Sequence, residues 1–174
     1  MKKKKNPEFK LGEIVVYPKH GVGEIVKIET MEISSIKTQF YVVKMEQSKL
    51  TIRVPLDKQI EVGLRKISSK KTIEQVFDTL KLKPKIRRIM WSRRAQEYDQ
   101  KINSGKIYEL AEVVKDLNKN TDIIADQSYS ERQLFEKAYE RLKSEFEAVL
   151  KISPEEVQKK MDKALGRTKL PEEI

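Results

Sequence analysis

The chain has 174 residues, 38% of them hydrophobic and 37% charged, and its formal net charge at pH 7 is +10. It contains no cysteine, which excludes a disulfide framework and thiolate chemistry. No apolar run approaches the roughly 20 residues of a membrane span, and no apolar segment of the secretory type follows the N-terminal lysines. We therefore expect a cytoplasmic protein with no membrane partner, folded as one compact domain or two small ones.

The positive charge is concentrated in the middle third of the chain. Residues 1–64, 65–120 and 121–174 carry net charges of +4, +8 and −2, and four consecutive lysines at positions 2–5 account for the first of these values. A strongly basic segment is typical of a surface that binds a polyanion. A well-solvated, lysine-rich surface without a partner is the alternative interpretation of the charge excess alone.

The first 64 residues are predicted to form short antiparallel strands. Stretches rich in β-branched and aromatic residues lie at 9–17, 24–29, 39–45 and 50–55, as is typical of strands separated by turns. The turn after the first stretch contains Gly21 and Gly23, and glycine adopts positive φ without steric cost. Short strands with turns at about ten-residue intervals predict a small barrel, which closes its own edges.

Beyond residue 64 the apolar spacing changes to that of amphipathic helices. The pattern predicts about five helices, starting near 72, between 85 and 92, at 107, near 131 and at 154. The fourth follows a capping-box pattern, with Ser130 as N-cap and Gln133 at the third helical position. The fifth follows Ser153 as N-cap, with Pro154 in its first turn.

These elements define an α+β protein: a small N-terminal antiparallel β-barrel followed by an all-helical C-terminal domain of about five helices. We expect the β domain to span residues 9–66 and the helical domain residues 70–167. The basic residues 1–8 and the last residues, 168–174, are expected to be flexible tails.

Catalysis has little support in the sequence. The single histidine, His20, lies in a glycine-containing turn with no acidic partner nearby. No cluster of histidines or carboxylates has the spacing of a metal site, and no glycine-rich phosphate-binding loop occurs. We therefore expect no enzymatic activity, no cofactor and no small-molecule substrate.

The single tryptophan, Trp91, lies in one of the most basic stretches of the chain. Residues 81–106 contain nine Lys and Arg against two acidic residues. In a helix, Trp91 shares a stripe with Ala95, Tyr98 and Ile102, so one interpretation is that it simply joins the core. The other is that Trp91 stands at a surface edge, where it leans on a distorted base step while Arg87, Arg88 and Arg94 hold phosphates.

A second arginine is notable in the strand at 50–55. Because side chains alternate between the two faces of a strand, Arg53 is predicted to point outward, with Ile52 and Val54 facing the core. An isolated solvated arginine is one interpretation. A contact anchor for a protein partner is the other, since arginine is enriched at binding hot spots.

Four motifs occur in order along the chain: FKLGEIVVYPKHGVG at 9–23, LTIRVP at 50–55, WSRR at 91–94 and AEVVKDL at 111–117. Together they closely resemble the CarD/CdnL family of bacterial transcription regulators. The similarity extends from about Phe9 to Leu165, and four motifs in the same order make it specific.

The resemblance implies a Tudor-like N-terminal barrel that binds the β subunit of RNA polymerase and is related to the polymerase-binding module of transcription-repair coupling factor. It also implies a helical C-terminal domain that contacts promoter DNA at the upstream edge of the melted −10 region. The DNA wedge of the family maps onto Trp91, its basic neighbours onto Arg93 and Arg94, and the polymerase contacts onto Arg53, Met31 and Ile33. Some members carry a basic residue where this chain has Met31, so that contact is expected to be weaker or apolar.

The sequence therefore predicts a transcription regulator that binds the polymerase β subunit and promoter DNA and stabilises the open complex. We expect it to act as a monomer in the polymerase complex. Arg87 and Arg88 join the expected DNA-binding set on charge alone, not through the resemblance. The alternative is a stand-alone RNA- or DNA-binding protein that does not depend on RNA polymerase.

Overall fold

A computed structural model describes residues 8–118 and 128–167 of the chain. The chain divides into two compact units, residues 1–67 and 68–174. The expected tails, 1–8 and 168–174, lie outside the described residues except for Glu8. Among the helices in the described ranges, none is both long and apolar enough to cross a membrane.

The N-terminal unit is an antiparallel sheet of five strands within residues 8–67, in the order β4-β3-β2-β1-β5. The strands are β1 (Ile14–Tyr17), β2 (Gly21–Ile33), β3 (Ile36–Met45), β4 (Thr51–Pro55) and β5 (Arg65–Lys66), and a 3-10 turn at Leu56–Lys58 follows β4. The predicted closure of the barrel is wrong, because β4 and β5 form the two edges and do not pair with each other within this range. With only two residues, β5 is too short to provide a closing ladder.

One face of the sheet carries the core of this unit. Its fully buried side chains come from four strands: Val15, Ile25, Tyr41, Val43, Met45 and Val54. The Tyr41 hydroxyl accepts hydrogen bonds from the backbone N–H groups of Glu8 (2.9 Å) and Phe9 (3.4 Å), which ties the segment before β1 to β3. A Cβ on Gly23 would lie 2.8 Å from Val43 Cγ1, so the close approach of β2 to β3 requires glycine there.

Strands β2 and β3 form a long hairpin whose register runs from Gly23 opposite Met45 to Ile33 opposite Ile36. Ser34 and Ser35 connect them with φ of 50° and 63°. Two consecutive positive φ values characterise the type I′ turn, whose twist suits a two-residue hairpin. The turn at Ser34 and Ser35 therefore fixes the register between β2 and β3 at the end of the hairpin.

The C-terminal unit forms five helices within residues 68–118 and 128–167: α1 (Lys70–Leu80), α2 (Trp91–Asn103), α3 (Ile107–Leu117), α4 (Tyr129–Leu150) and α5 (Pro154–Ala164). Helix α3 contacts α1, α2 and α4, and most of its side chains are buried. It therefore forms the centre on which α1, α2 and α4 pack, whereas α5 packs against α1 and α4. The predicted α+β class and helical C-terminal half are confirmed.

The serine caps of the helices agree only in part with the prediction. Ser153 caps α5 by accepting from the Glu156 N–H, with Pro154 in the first turn, as predicted. The predicted cap of α4 by Ser130 is wrong, because Ser128 accepts from the Glu131 N–H at 3.2 Å and α4 begins at Tyr129. Ser69 caps α1, which begins two residues before the predicted start at residue 72.

Candidate nucleic-acid and protein interfaces

Helix α2 begins at Trp91 without the groups that usually stabilise a helix start. Met90 occupies the N-cap position and makes no side-chain capping bond, and the first turn contains no acidic residue. It contains Arg93 instead, a cation at the positive end of the helix dipole. Local rules of this kind are broken chiefly at functional sites, so this helix start is the first candidate interface.

Trp91 is half-buried at the edge of the helical core. Its Nε1 donates a hydrogen bond to Ser130 Oγ at 3.0 Å, and its ring centroid lies 6.4 Å from that of Tyr98. Further along the predicted stripe, Tyr98 and Ile102 are buried, whereas Trp91 and Ala95 are only partly covered. The stripe therefore enters the core at Tyr98 and leaves part of the indole open to a partner.

Arg94 packs against the same aromatic pair. Its guanidinium carbon lies 5.5 Å from the Trp91 ring centroid and 5.8 Å from that of Tyr98, and Nη2 donates to the Tyr98 hydroxyl at 3.4 Å. Its Nε is buried with no hydrogen-bond partner among residues 8–118 and 128–167. A partly buried cation carries a desolvation cost, which contact with the two aromatic faces offsets in part.

The remaining arginines of the predicted DNA-binding set lie on two different elements. Arg93 is exposed on α2, whereas Arg87 and Arg88 are exposed in the non-helical segment 81–90. The helix was predicted to start between residues 85 and 92, and its start at Trp91 confirms this window and leaves Arg87 and Arg88 outside the helix. Arg87 forms an ion pair with Glu97 at 3.1 Å, so its charge is less available than that of Arg93.

The segment 81–90 is held against α3, because the Lys85 N–H donates to Asp116 Oδ1 at 2.8 Å. A groove of about 480 Å³ lies beside it, lined by side chains of both signs: Lys85, Arg87, Arg94, Glu97, Lys101, Glu109 and Asp116. Burial tends to lower the pKa of Lys101, but its 2.8 Å pair with Glu112 and the charges of Asp116 and Glu109 together outweigh this effect and raise the pKa. Lys101 therefore stays charged at neutral pH.

The described residues offer little for catalysis. Within them, no group of three or more His, Cys, Asp or Glu residues could hold a metal ion. His20 is exposed in the turn between β1 and β2, with its ring 5.3 Å from that of Tyr17.

The residues expected to face polymerase all lie on the outer face of the sheet. The register places Arg53 opposite Val42, and Val42 opposite Lys27. Met31 and Ile33 follow at alternate positions of β2 and are 42% and 52% exposed. Arg53 points outward, as the alternation of the strand predicts, while Val54 is buried.

Arg53 is not an isolated solvated cation. Its Nε lies 3.2 Å from Glu29 Oε2, on the same face. The hydrogen bond from Lys27 and, second, that from Arg53 lower the pKa of Glu29 below its ordinary value. The outer sheet face, defined here as Lys27, Glu29, Met31, Ile33 and Arg53, therefore combines an oriented ion-pair cluster with exposed apolar side chains.

Two contacts of the tryptophan site were missed by sequence reasoning. Tyr98 was placed on the stripe of Trp91, and this spacing could have indicated its ring contact. Ser130 is 39 residues away from Trp91 and was assigned to a helix cap. No local pattern could have indicated its contact with the indole.

Comparison with known proteins agrees with this two-part architecture. The family model described as "CarD-like/TRCF RID domain" matches residues 9–68, and that described as "CarD, C-terminal domain" matches residues 75–162. The first match covers the sheet and the second most of the helical unit, so the class is that of two-domain CarD-like proteins. The chain belongs to the CarD family, which confirms the resemblance seen in its motifs.

Individual relatives are also similar to this chain. "Putative transcription factor YdeB" of Bacillus subtilis (strain 168) is 32% identical over 149 residues, which cover 86% of this chain and 97% of that protein. The solved structure of CdnLNt from Myxococcus xanthus is 38% identical and covers 38% of this chain and 93% of that chain, with a TM-score of 0.32.

Proposed function

We propose that this chain is a transcription regulator that binds the β subunit of RNA polymerase and promoter DNA at the upstream edge of the melted −10 region, and thereby stabilises the open complex. Membership of the CarD family and the similarity to a protein named as a transcription factor support this proposal. In this proposal the protein acts in the cytoplasm, as a monomer in the polymerase complex, without catalysis or a cofactor.

The observation that carries the proposal is the start of α2. The only tryptophan of the chain is half-exposed there, beside a guanidinium whose Nε has no partner among the described residues. An apolar wedge next to cations suits DNA, where cations hold phosphates and the wedge enters a distorted base step.

The proposed mechanism is a shift of the promoter between its closed and open states. A ring that fits only distorted DNA binds the open complex more tightly than the closed one, so it raises the open fraction. Stacking of an aromatic side chain on a base is worth about 1–3 kcal/mol, or roughly 5- to 150-fold in an equilibrium. This range is large enough to change the lifetime of an open complex.

The outer sheet face is the proposed contact with polymerase. The match to the CarD-like/TRCF RID family model covers all residues of this face. Arg53 shares the face with the exposed side chains of Met31 and Ile33, and arginine is enriched at hot spots. Binding to polymerase raises the local concentration of the C-terminal unit near the promoter. Its contact with DNA can therefore be weak on its own.

The lifetime of open complexes on a supercoiled promoter, challenged with a competitor, tests this function. We expect the wild-type chain to lengthen the lifetime and Trp91→Ala to have much less effect at equal occupancy of polymerase. If both proteins leave the lifetime unchanged, the proposal is wrong. Tight binding of RNA or DNA without polymerase would instead favour the stand-alone nucleic-acid-binding protein.

A further inference from the structure

The hydrogen bond between Trp91 and Ser130 joins the candidate wedge to another helix. We infer that Ser130 is a positioning residue, which holds the indole in one orientation and occupies its only hydrogen-bond donor, so that Trp91 meets DNA as an apolar surface. This inference rests on the proposed function and assigns a role to a residue outside the WSRR motif.

Contacts from two helices restrain the indole. The Trp91 Nε1 donates at 3.0 Å to the Oγ of Ser130, which lies in the first turn of α4. On α2 itself, the Arg94 guanidinium carbon lies 5.5 Å from the ring centroid, and the Tyr98 ring is 6.4 Å away at an interplanar angle of 44°. Ring contacts alone would allow the indole to slide, whereas the directional hydrogen bond fixes its rotation.

The hydrogen-bond chemistry of the indole gives this bond its importance. Indole has one donor and no acceptor, whereas a serine hydroxyl both accepts and donates. Ser130 Oγ accepts from Trp91 and lies 3.3 Å from Ser128 Oγ, which accepts from the Glu131 N–H. The bond therefore connects the indole to the N-cap of α4 and leaves no polar group on the ring for base recognition.

Ser130 is not required to start α4. Ser128 already caps this helix, and Ser130 is exposed in its first turn. Alanine has a higher helix propensity than serine, so Ser130→Ala should keep α4 intact. An indole that is already ordered loses less conformational entropy when it binds DNA. The Ser130 hydroxyl is therefore expected to affect DNA binding through Trp91.

The promoter assay with the full chain tests this role. We expect Ser130→Ala to shorten the open-complex lifetime about 2- to 10-fold, the effect of one net hydrogen bond, and Ser130→Thr to restore it. The matched control is Tyr129→Phe, which removes a neighbouring hydroxyl bonded to Gln133 and should leave the lifetime unchanged. An unchanged or longer lifetime with Ser130→Ala would overturn the inference.

A double-mutant cycle shows whether Ser130 acts through the indole. In a Trp91→Ala background, Ser130→Ala should have no further effect on the lifetime, and an equal fold-change in both backgrounds would overturn the inference. If Trp91→Ala has the wild-type lifetime, the wedge role of Trp91 fails, and if the wild-type chain does not lengthen the lifetime, the proposed function itself fails. If Trp91→Ala shortens the lifetime and Ser130→Ala does not, only the positioning role fails.

Trp91 also provides its own probe, because it is the only tryptophan of the chain. In the free full-length protein, we expect Ser130→Ala to lower the steady-state fluorescence anisotropy of Trp91 and to shift its emission maximum, with Ser130→Thr close to wild type. Anisotropy and emission identical to wild type in Ser130→Ala would show that the hydroxyl does not hold the ring and would overturn the inference.

Discussion

The outer sheet face and the start of α2 each contain an arginine of the candidate interfaces, Arg53 and Arg94, but the environments of the two arginines differ. On the sheet, Arg53 forms an ion pair with Glu29 at 3.2 Å and lies on the same face as Met31 and Ile33. On α2, Arg94 lies over two aromatic rings, and its buried Nε has no partner among the described residues. Paired charge beside apolar side chains suits a protein surface, whereas unpaired cations suit a polyanion.

The comparison predicts different partners for two surfaces that arginine content alone would not distinguish. If it is correct, substitutions on one surface should affect binding of polymerase, and substitutions on the other should affect the promoter. Substitutions at Arg53, Trp91 and Arg93 test this separation, and a substitution at Glu29 tests the ion-pair cluster of the sheet.

Charge reversal at Arg53 is expected to have the largest effect. Arg53→Glu removes a candidate hot-spot side chain and places a carboxylate next to Glu29, so the affinity for the polymerase β subunit should fall at least about 30-fold. The affinity of the full chain for DNA alone should stay unchanged. Titration calorimetry with a β-subunit fragment checks the first expectation, and wild-type affinity would refute the assignment of the sheet face.

Removal of the Trp91 indole is expected to have the second-largest effect. Trp91→Ala should shorten the open-complex lifetime by roughly 5- to 150-fold, the range of one lost stacking contact, while binding to polymerase stays at the wild-type level. Because Trp91 is only half-buried, cooperative unfolding in urea should be retained. A lifetime equal to that of wild type, with polymerase binding intact, would rule out the wedge.

The salt dependence of DNA binding should separate two arginines of the helical unit. Arg93 is exposed, whereas Arg87 already forms an ion pair with Glu97. If Arg93 neutralises one phosphate, Arg93→Gln should reduce the slope of log K against log salt by about 0.9. The matched change Arg87→Gln should reduce it less, and the opposite ranking would show that the Glu97 pair does not limit Arg87.

The smallest effect is expected from the ion-pair cluster of the sheet. Lys27, and then Arg53, lower the pKa of Glu29 below its ordinary value of 4.5. A carboxyl with a lowered pKa stabilises the folded state above the unfolded pKa, and this stabilisation is lost as pH falls through the folded value. The stability difference between wild type and Glu29→Gln in urea should therefore be small near neutral pH and vanish in acid. A difference that grows in acid would contradict this account.

The sequence predicted the individual strands and helices better than it predicted whether the sheet closes into a barrel. The alternation around Arg53 correctly placed it outward, and the N-cap pattern at Ser153 correctly predicted the start of α5. Both features depend on neighbouring residues alone. Barrel closure depends on whether distant edges meet, and the short strand β5 does not pair with β4 in the described part of the chain.

The candidate DNA site shows the same limit. The sequence placed Trp91 and Arg94 side by side, because both lie in one helical turn, but it left the start of that helix open between residues 85 and 92 and so could not place Arg87 and Arg88 relative to Trp91. It also wrongly assigned Ser130 to the cap of α4, since the overlapping spacings from Ser128 to Glu131 and from Ser130 to Gln133 both fit a capping box. In the fold, Ser128 caps α4, and Ser130 Oγ accepts from the indole instead.

The most direct test of the account is the open-complex lifetime measured over a range of concentrations of three full-length proteins: wild type, Arg53→Glu and Trp91→Ala. If two surfaces serve two partners, Arg53→Glu should reach the wild-type plateau at a higher protein concentration, whereas Trp91→Ala should give a lower plateau at the wild-type half-saturating concentration. Curves in which both variants change the same parameter would contradict the division of roles between the sheet face and the start of α2.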